Sequence, residues 1–123
     1  MPSFGTLKAD TLTHSTAGSL ATNFVVEGSA KAFAGNIVEP GETPVDSLNI
    51  SSTVDAGTGN NDVNFTNAFG NAGYSNVGSD NFYGLCQTEP NSQTTTACNI
   101  FTYNNSFATR DNAFSITATG DLA

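Results

Sequence analysis

Tryptophan is absent from this chain of 123 residues, and histidine and methionine each occur once. Basic residues are nearly as scarce. Lys8, Lys31 and Arg110 stand against 11 acidic residues, for a formal net charge of −8. A phosphate backbone repels such a chain, and so does an anionic bilayer surface, which excludes nucleic-acid binding as a function class. Long apolar runs are missing too. Nothing approaches the roughly 18 apolar residues of a membrane span, so no membrane insertion is expected. "PSFGTLKADTLTHSTAG" after Met1 has neither a basic n-region nor an apolar h-region, so no secretory signal is read. The expected route out of a cell is then assembly into a particle in the cytoplasm and release by lysis. Charged residues are only 11% of the chain, against about 25% in ordinary domains. Ser, Thr, Asn and Gly must therefore carry the surface, as on many extracellular and particle-exposed β-proteins.

What is present is aromatic. Nine Phe and three Tyr argue against disorder, because a solvated chain has little use for them. The apolar supply is nevertheless thin: 7 Val, 4 Ile, 6 Leu and 9 Phe are 26 residues, about 21% of the chain. The length fits one domain. A core this small leaves a monomer marginal, and burying further surface against identical copies is the usual remedy. A homo-oligomer is expected.

Helical periodicity is nearly absent, and alternation recurs. Leu48, Ile50, Ser52 and Val54 share one face of "SLNISSTV". Val63 and Phe65 alternate with Asp62 and Asn64, Cys98, Ile100 and Thr102 with Asn99, Phe101 and Tyr103, and Phe114, Ile116 and Ala118 with Ser115 and Thr117. Shorter candidate strands cover 24–26, 31–34, 74–77 and 82–86. Turn signals fall between them at 40–41, 57–61, 70–73, 89–92 and 109–112. The pattern predicts an all-β antiparallel sandwich or jelly-roll-like domain over 29–123. Its expected core includes Ile50, Val54, Val63, Phe65, Ile100, Phe114 and Ile116. Residues 1–28 show no alternation. They are expected to be an extended segment that intertwines with neighbouring copies or serves as an attachment peptide.

Candidate chemistry is sparse. "DAGTGNND" is not a phosphate loop, since a strand pattern rather than a helix follows it and no Lys or Arg lies nearby. It lacks the closing Glu of a calcium loop. A hairpin accounts for it, with Gly57, Gly59 and Asn60 supplying the positive φ angles. His14 lies in a polar stretch with no nucleophile or carboxylate tied to it, and no catalytic residue, cofactor or metal ligand stands out. No enzyme is expected. Cys86 and Cys98 flank "QTEPNSQTTTA" at a spacing that suits a disulfide across a hairpin loop. The missing export signal argues instead for free thiols. Tyr74, Tyr83 and Tyr103 offer rings for stacking on sugars, which makes a carbohydrate-binding, lectin-like module one reading. The alternative is that they are core or interface residues.

Three stretches carry a resemblance: "EGSAKAF", then "SLNISSTVDAGTGNNDVNFTNAFGNAGYSNVGS", then "FSITATGDLA". Together they resemble the C-terminal fibre-head domains of marine and cyanobacterial phage fibre proteins. Those domains run from a Ser-x-Lys-Ala-aromatic motif through an Asn-x-Ser-Ser strand and an Asp-x-Gly-Thr-Gly hairpin to a Val-x-Phe-Thr strand. The match spans Glu27 to the end, about three quarters of the chain. Phe33 stands where the family has Trp, "AGNIVEPGETPVD" replaces a short Asn-Gly connection, and "FGNAG" replaces a Met-Pro turn. The resemblance implies a non-enzymatic, homotrimeric virion protein, a short tail or capsid fibre or a decoration protein exposed on the particle surface. It also implies contact with a host surface glycan or protein, and attachment to other virion proteins through the N-terminal segment.

Overall fold

A computed structural model describes residues 9–16, 18–89 and 91–123. Among these, strands dominate, as β-branched and aromatic residues spaced two apart require. They are β1 (Thr11–His14), β2 (Gly18–Ala21), β3 (Ala30–Ile37), β4 (Asp46–Leu48), β5 (Ile50–Gly57), β6 (Asn60–Phe65), β7 (Ser75–Asp80), β8 (Leu85–Thr88), β9 (Ala97–Tyr103) and β10 (Phe114–Thr119). One helix, α1 (Thr22–Gly28), stands among the described residues. All the pairings are antiparallel. β1 and β2 form a hairpin, and the other strands form two four-stranded sheets, β4-β3-β10-β7 and β5-β6-β9-β8. The fold is all-β.

The two sheets share one core. Ala32, Ala34, Ile37, Phe114, Ile116 and Ala118 come from the first sheet, and Val63, Phe65, Cys98 and Ile100 from the second. Alternation sends each of these inward together with the buried Asn61 and Thr102, while Asn60, Asp62 and Asn64 on β6 and Ser115 and Thr117 on β10 face out. Five of the residues expected in the core, Val63, Phe65, Ile100, Phe114 and Ile116, are buried there. Ile50 is half-buried against them. Phe65, Phe69 and Tyr74 close one end, with Phe69 and Tyr74 stacked at 4.1 Å between ring centroids. That end is proximal to the N-terminal elements, because β3 enters it directly after α1.

Val54 departs from expectation: it is 47% exposed. Asn49 adopts φ 59°, which separates β4 in one sheet from β5 in the other, so "SLNISSTV" is two strands and not one. An extra residue then bulges β5 between Ile50, which pairs with Phe65, and Ser52, which pairs with Asn64. The bulge reverses the side-chain parity. Thr53 faces inward opposite Val63 and Val54 faces outward opposite Asp62. A second bulge in β3 at Asn36, φ 51°, has the opposite value to the fold: it returns Ile37 to the core opposite Phe114.

The N-terminal segment is not extended where it is described. Thr11–His14 and Gly18–Ala21 pair as β1 and β2, and the candidate strand at 24–26 lies within α1. Phe24, Val25 and Val26 are consecutive and fit neither period. With no strand beside them, their backbone groups are satisfied locally in a helical turn. The helix ends as Ser29 N–H donates to the Val25 carbonyl, and Lys31 Nζ reaches back to the Val26 carbonyl. Residues 82–84 likewise leave the expected strand and form a turn ahead of β8.

Candidate functional site

The strand directions gather four connections at the end distal to α1: 38–45, 57–60, 81–84 and 104–113. The β5–β6 hairpin in "DAGTGNND" is the first fixed point. Gly57 (φ 128°) and Gly59 (φ 68°) have the positive φ angles expected of them. Asn60 does not: it is the first residue of β6, paired with Gly57 and Phe101, because the two glycines already complete the reversal. Gly59 N–H donates to Asp111 Oδ1 at 2.6 Å, and the Gly59 carbonyl accepts from Thr102 N–H at 2.8 Å. A Cβ at position 59 would sit 2.5 Å from the Thr102 carbonyl oxygen and 2.7 Å from Arg110 N, so the turn is wedged against β9 and the 110–111 backbone.

The second fixed point is the 81–84 turn. Asp80 Oδ1 accepts from Phe82 N–H and Gly84 N–H at 2.8 and 3.0 Å. A side chain on Gly84 would overlap the Tyr103 carbonyl oxygen, so the turn lies directly on the end of β9. Held this way, it projects Phe82 and Tyr83, which are 58% and 86% exposed. The Arg110 guanidinium sits 5.4 Å above the Phe82 ring.

The third is the 104–108 loop. Asn104 Oδ1 accepts from Ser106 N–H and Ala108 N–H, and Asn104 N–H donates to the Ala108 carbonyl. The tight closure places Phe107 at φ 60°. Left-handed backbone costs a side-chain-bearing residue about 1–2 kcal/mol. Phe107 is also 75% exposed, so burial does not offset that cost.

The three tyrosines are not brought together. Tyr74 is buried at the proximal end, donating its hydroxyl to the Ala97 carbonyl at 2.8 Å, and its ring faces Phe65 and Phe69. It is a core residue, 6% exposed, and burial raises its pKa well above 10.0. Tyr83 and Tyr103 both lie at the distal end, Tyr83 in the turn and Tyr103 at the end of β9, stacked on Phe101 at 6.2 Å. Leu85, Gln87 and Phe107 stand with Tyr103, and Arg110 lies over Phe82 beside Tyr83, none of them singled out by sequence pattern. The signal for Phe107 was its place after Asn104-Asn105-Ser106, a turn-forming run that left an aromatic at the reversal.

Cys86 and Cys98 are free thiols, and the bridge that their spacing in the sequence suited is not formed. Register explains it. Cys86 pairs with Thr102, four residues along β9 from Cys98, or about 13 Å at 3.3 Å per residue. That exceeds the reach of a disulfide. Burial, then Asp80, pushes the Cys86 thiol up to about 11. Burial pushes Cys98 up to about 12, with Asn76 hydrogen bonding against the rise and Asp62 and Cys86 adding to it. Neither is an activated nucleophile. The His14 side chain lies outside the described residues. Among the described residues no three His, Cys, Asp or Glu side chains gather as a metal site, and no helix is long and apolar enough to cross a membrane. Compared with family models, curated proteins and solved structures, the chain matches none.

Proposed function

We propose that this chain is a non-enzymatic structural protein of a phage particle, a short homotrimeric fibre or fibre head. Its N-terminal hairpin and helix join sibling copies and attach to other virion proteins on the capsid or tail. Its sandwich projects outward to meet the host surface. Assembly in the host cytoplasm and display on the virion agree with the uncharged polar surface and with the ordered motifs from "EGSAKAF" to "FSITATGDLA".

One observation carries the reading. Leu12, Leu20, Phe24 and Val26 are 41%, 47%, 63% and 55% exposed, and none of the described residues covers them. A seven-residue helix and a lone hairpin are each unstable in water by themselves. Apolar side chains on such elements call for a cover from outside the chain, and sibling copies supply one by symmetry. Elsewhere Leu48, Thr117 and Val77 flank Phe33 in one outward cross-strand row, further apolar surface of the kind that interfaces take up.

Light scattering on the purified chain tests the reading: it expects three times the chain mass at micromolar concentration. A stable monomer would remove its main support. Imaging the intact particle and locating the chain's density then tests the attachment.

A further inference from the structure

At the distal end a depression of about 430 Å³ lies open between β8, the end of β9 and the 104–108 loop. Tyr103, stacked on Phe101, Leu85, Cys86, Gln87 and Phe107 line it. Leu85 pairs with Tyr103 and Gln87 with Phe101, so all four face out from the same side of the sheet. None of the lining residues carries a charge, in a chain whose net charge is −8. Among the described residues, the Tyr103 hydroxyl and the Gln87 amide make no hydrogen bond within the protein.

Phe107 is the second, independent observation. Its backbone is held in the left-handed region by the Asn104 bonds, and its ring stands in solvent. Strain at an exposed aromatic on a well-bonded loop is the pattern of a preorganised binding residue. The size of the depression is that of small-ligand sites, which run to roughly 300–1,000 Å³. A stable protein partner needs about 1,200–2,000 Å² of buried surface, far more than this hollow offers.

We propose that this depression binds an uncharged saccharide. A sugar ring has a C–H face that packs on aromatic rings and a rim of hydroxyls that both donate and accept. Tyr103 and Phe107 supply the rings. The Gln87 amide donates and accepts at the rim, and so does the Tyr103 hydroxyl. Anionic saccharides are disfavoured because no cation lines the hollow and the chain as a whole is acidic. Only the outward direction of the site rests on the fibre reading; its chemistry rests on the side chains named.

The test is saturation-transfer NMR and calorimetry on the intact chain, with neutral trisaccharides of glucose, galactose and N-acetylglucosamine and with a sialylated trisaccharide. Light scattering is run on the same samples. At least one neutral saccharide is expected to bind, and Phe107→Gly and Gln87→Ala each to weaken it about tenfold or more with mass unchanged and no loss of thermal stability. The proposal is overturned if no neutral saccharide binds, if the sialylated one binds more tightly, or if both variants bind as the parent does. A change of mass in Phe107→Gly would mark the hollow as a contact between copies and overturn it too. A monomer that binds the saccharide defeats the trimer and leaves the site standing; a trimer that binds none does the reverse.

Discussion

Asn112 Nδ2 donates to Asp80 Oδ2 at 2.7 Å and to the Tyr103 carbonyl at 3.2 Å, tying one sheet to the other. Asp80 ends β7 in the first sheet and Tyr103 ends β9 in the second. With Phe82 and Gly84 N–H on its other oxygen, the Asp80 carboxylate holds both the turn and the sheet junction. Bonds to a charged acceptor are worth more than neutral ones, and removing the acceptor leaves Asn112, which is 5% exposed, short of a partner. Asp80→Ala is expected to cost about 2–3 kcal/mol in urea unfolding. A loss within about 0.5 kcal/mol, typical of a plain surface change, would show that the network does not hold the junction.

The bulge in β5 makes a paired prediction. Phe65→Ala removes a ring packed against Phe69 and Tyr74 and is expected to cost about 3–5 kcal/mol. Val54→Ala, on the outward face, is expected to stay within about 0.5 kcal/mol. Chemical denaturation of both variants checks the register, and a costly Val54→Ala would return the strand to unbroken alternation.

Alkaline pH is expected to weaken the fold. Burial raises the Cys86 and Cys98 thiols from 9.0 to about 11 and about 12. Above pH 9 the unfolded chain releases these protons while the folded chain keeps them. The stability present below pH 9 is therefore lost as pH rises toward 11 and 12. Urea midpoints under reducing conditions between pH 7 and 10.5 should fall. Cys98→Ala should start lower at pH 7, from lost packing, and fall less steeply. A midpoint flat to pH 10.5 would contradict the burial of both thiols.

The strands were legible wherever alternation runs unbroken, as in Val63–Phe65, Cys98–Tyr103 and Phe114–Ala118. Alternation is local, whereas the facing of Val54 depends on two events at other residues, the left-handed Asn49 and the bulge before Ser52. Asn36 and Asn49 adopt positive φ without glycine, which composition does not reveal. The helix at Thr22–Gly28 is not legible in the sequence, because three consecutive apolar residues carry no period. At the distal end, tyrosines were marked by residue type, and the chain then placed Tyr74 in the core. Phe107, Leu85 and Gln87 meet only through the β8–β9 register, a relation between positions that a single strand does not carry.

The uncovered N-terminal apolar side chains predict an effect on assembly without one on the sandwich. Phe24→Ser combined with Val26→Ser changes nothing in the shared core, so the melting of the 30–123 portion should be close to the parent's. The mass by light scattering should fall from trimer toward monomer. An unchanged mass would place the contacts between copies on the sheets instead.

Phe107 separates backbone strain from side-chain value. Glycine at this position relieves the left-handed penalty of about 1–2 kcal/mol. It forfeits roughly 0.5–1 kcal/mol to the greater freedom of the unfolded chain. The ring is mostly in solvent, so its removal exposes little. Phe107→Gly should therefore be as stable as the parent or up to about 1.5 kcal/mol more so, on the difference of those two amounts. Phe107→Val should be less stable than either, because a branched Cβ tolerates this backbone worst. Urea unfolding of the three proteins orders them. If glycine instead proves the least stable, the ring is packed against something in the folded assembly, and the exposed, preorganised aromatic would have to be reassigned to a contact between copies.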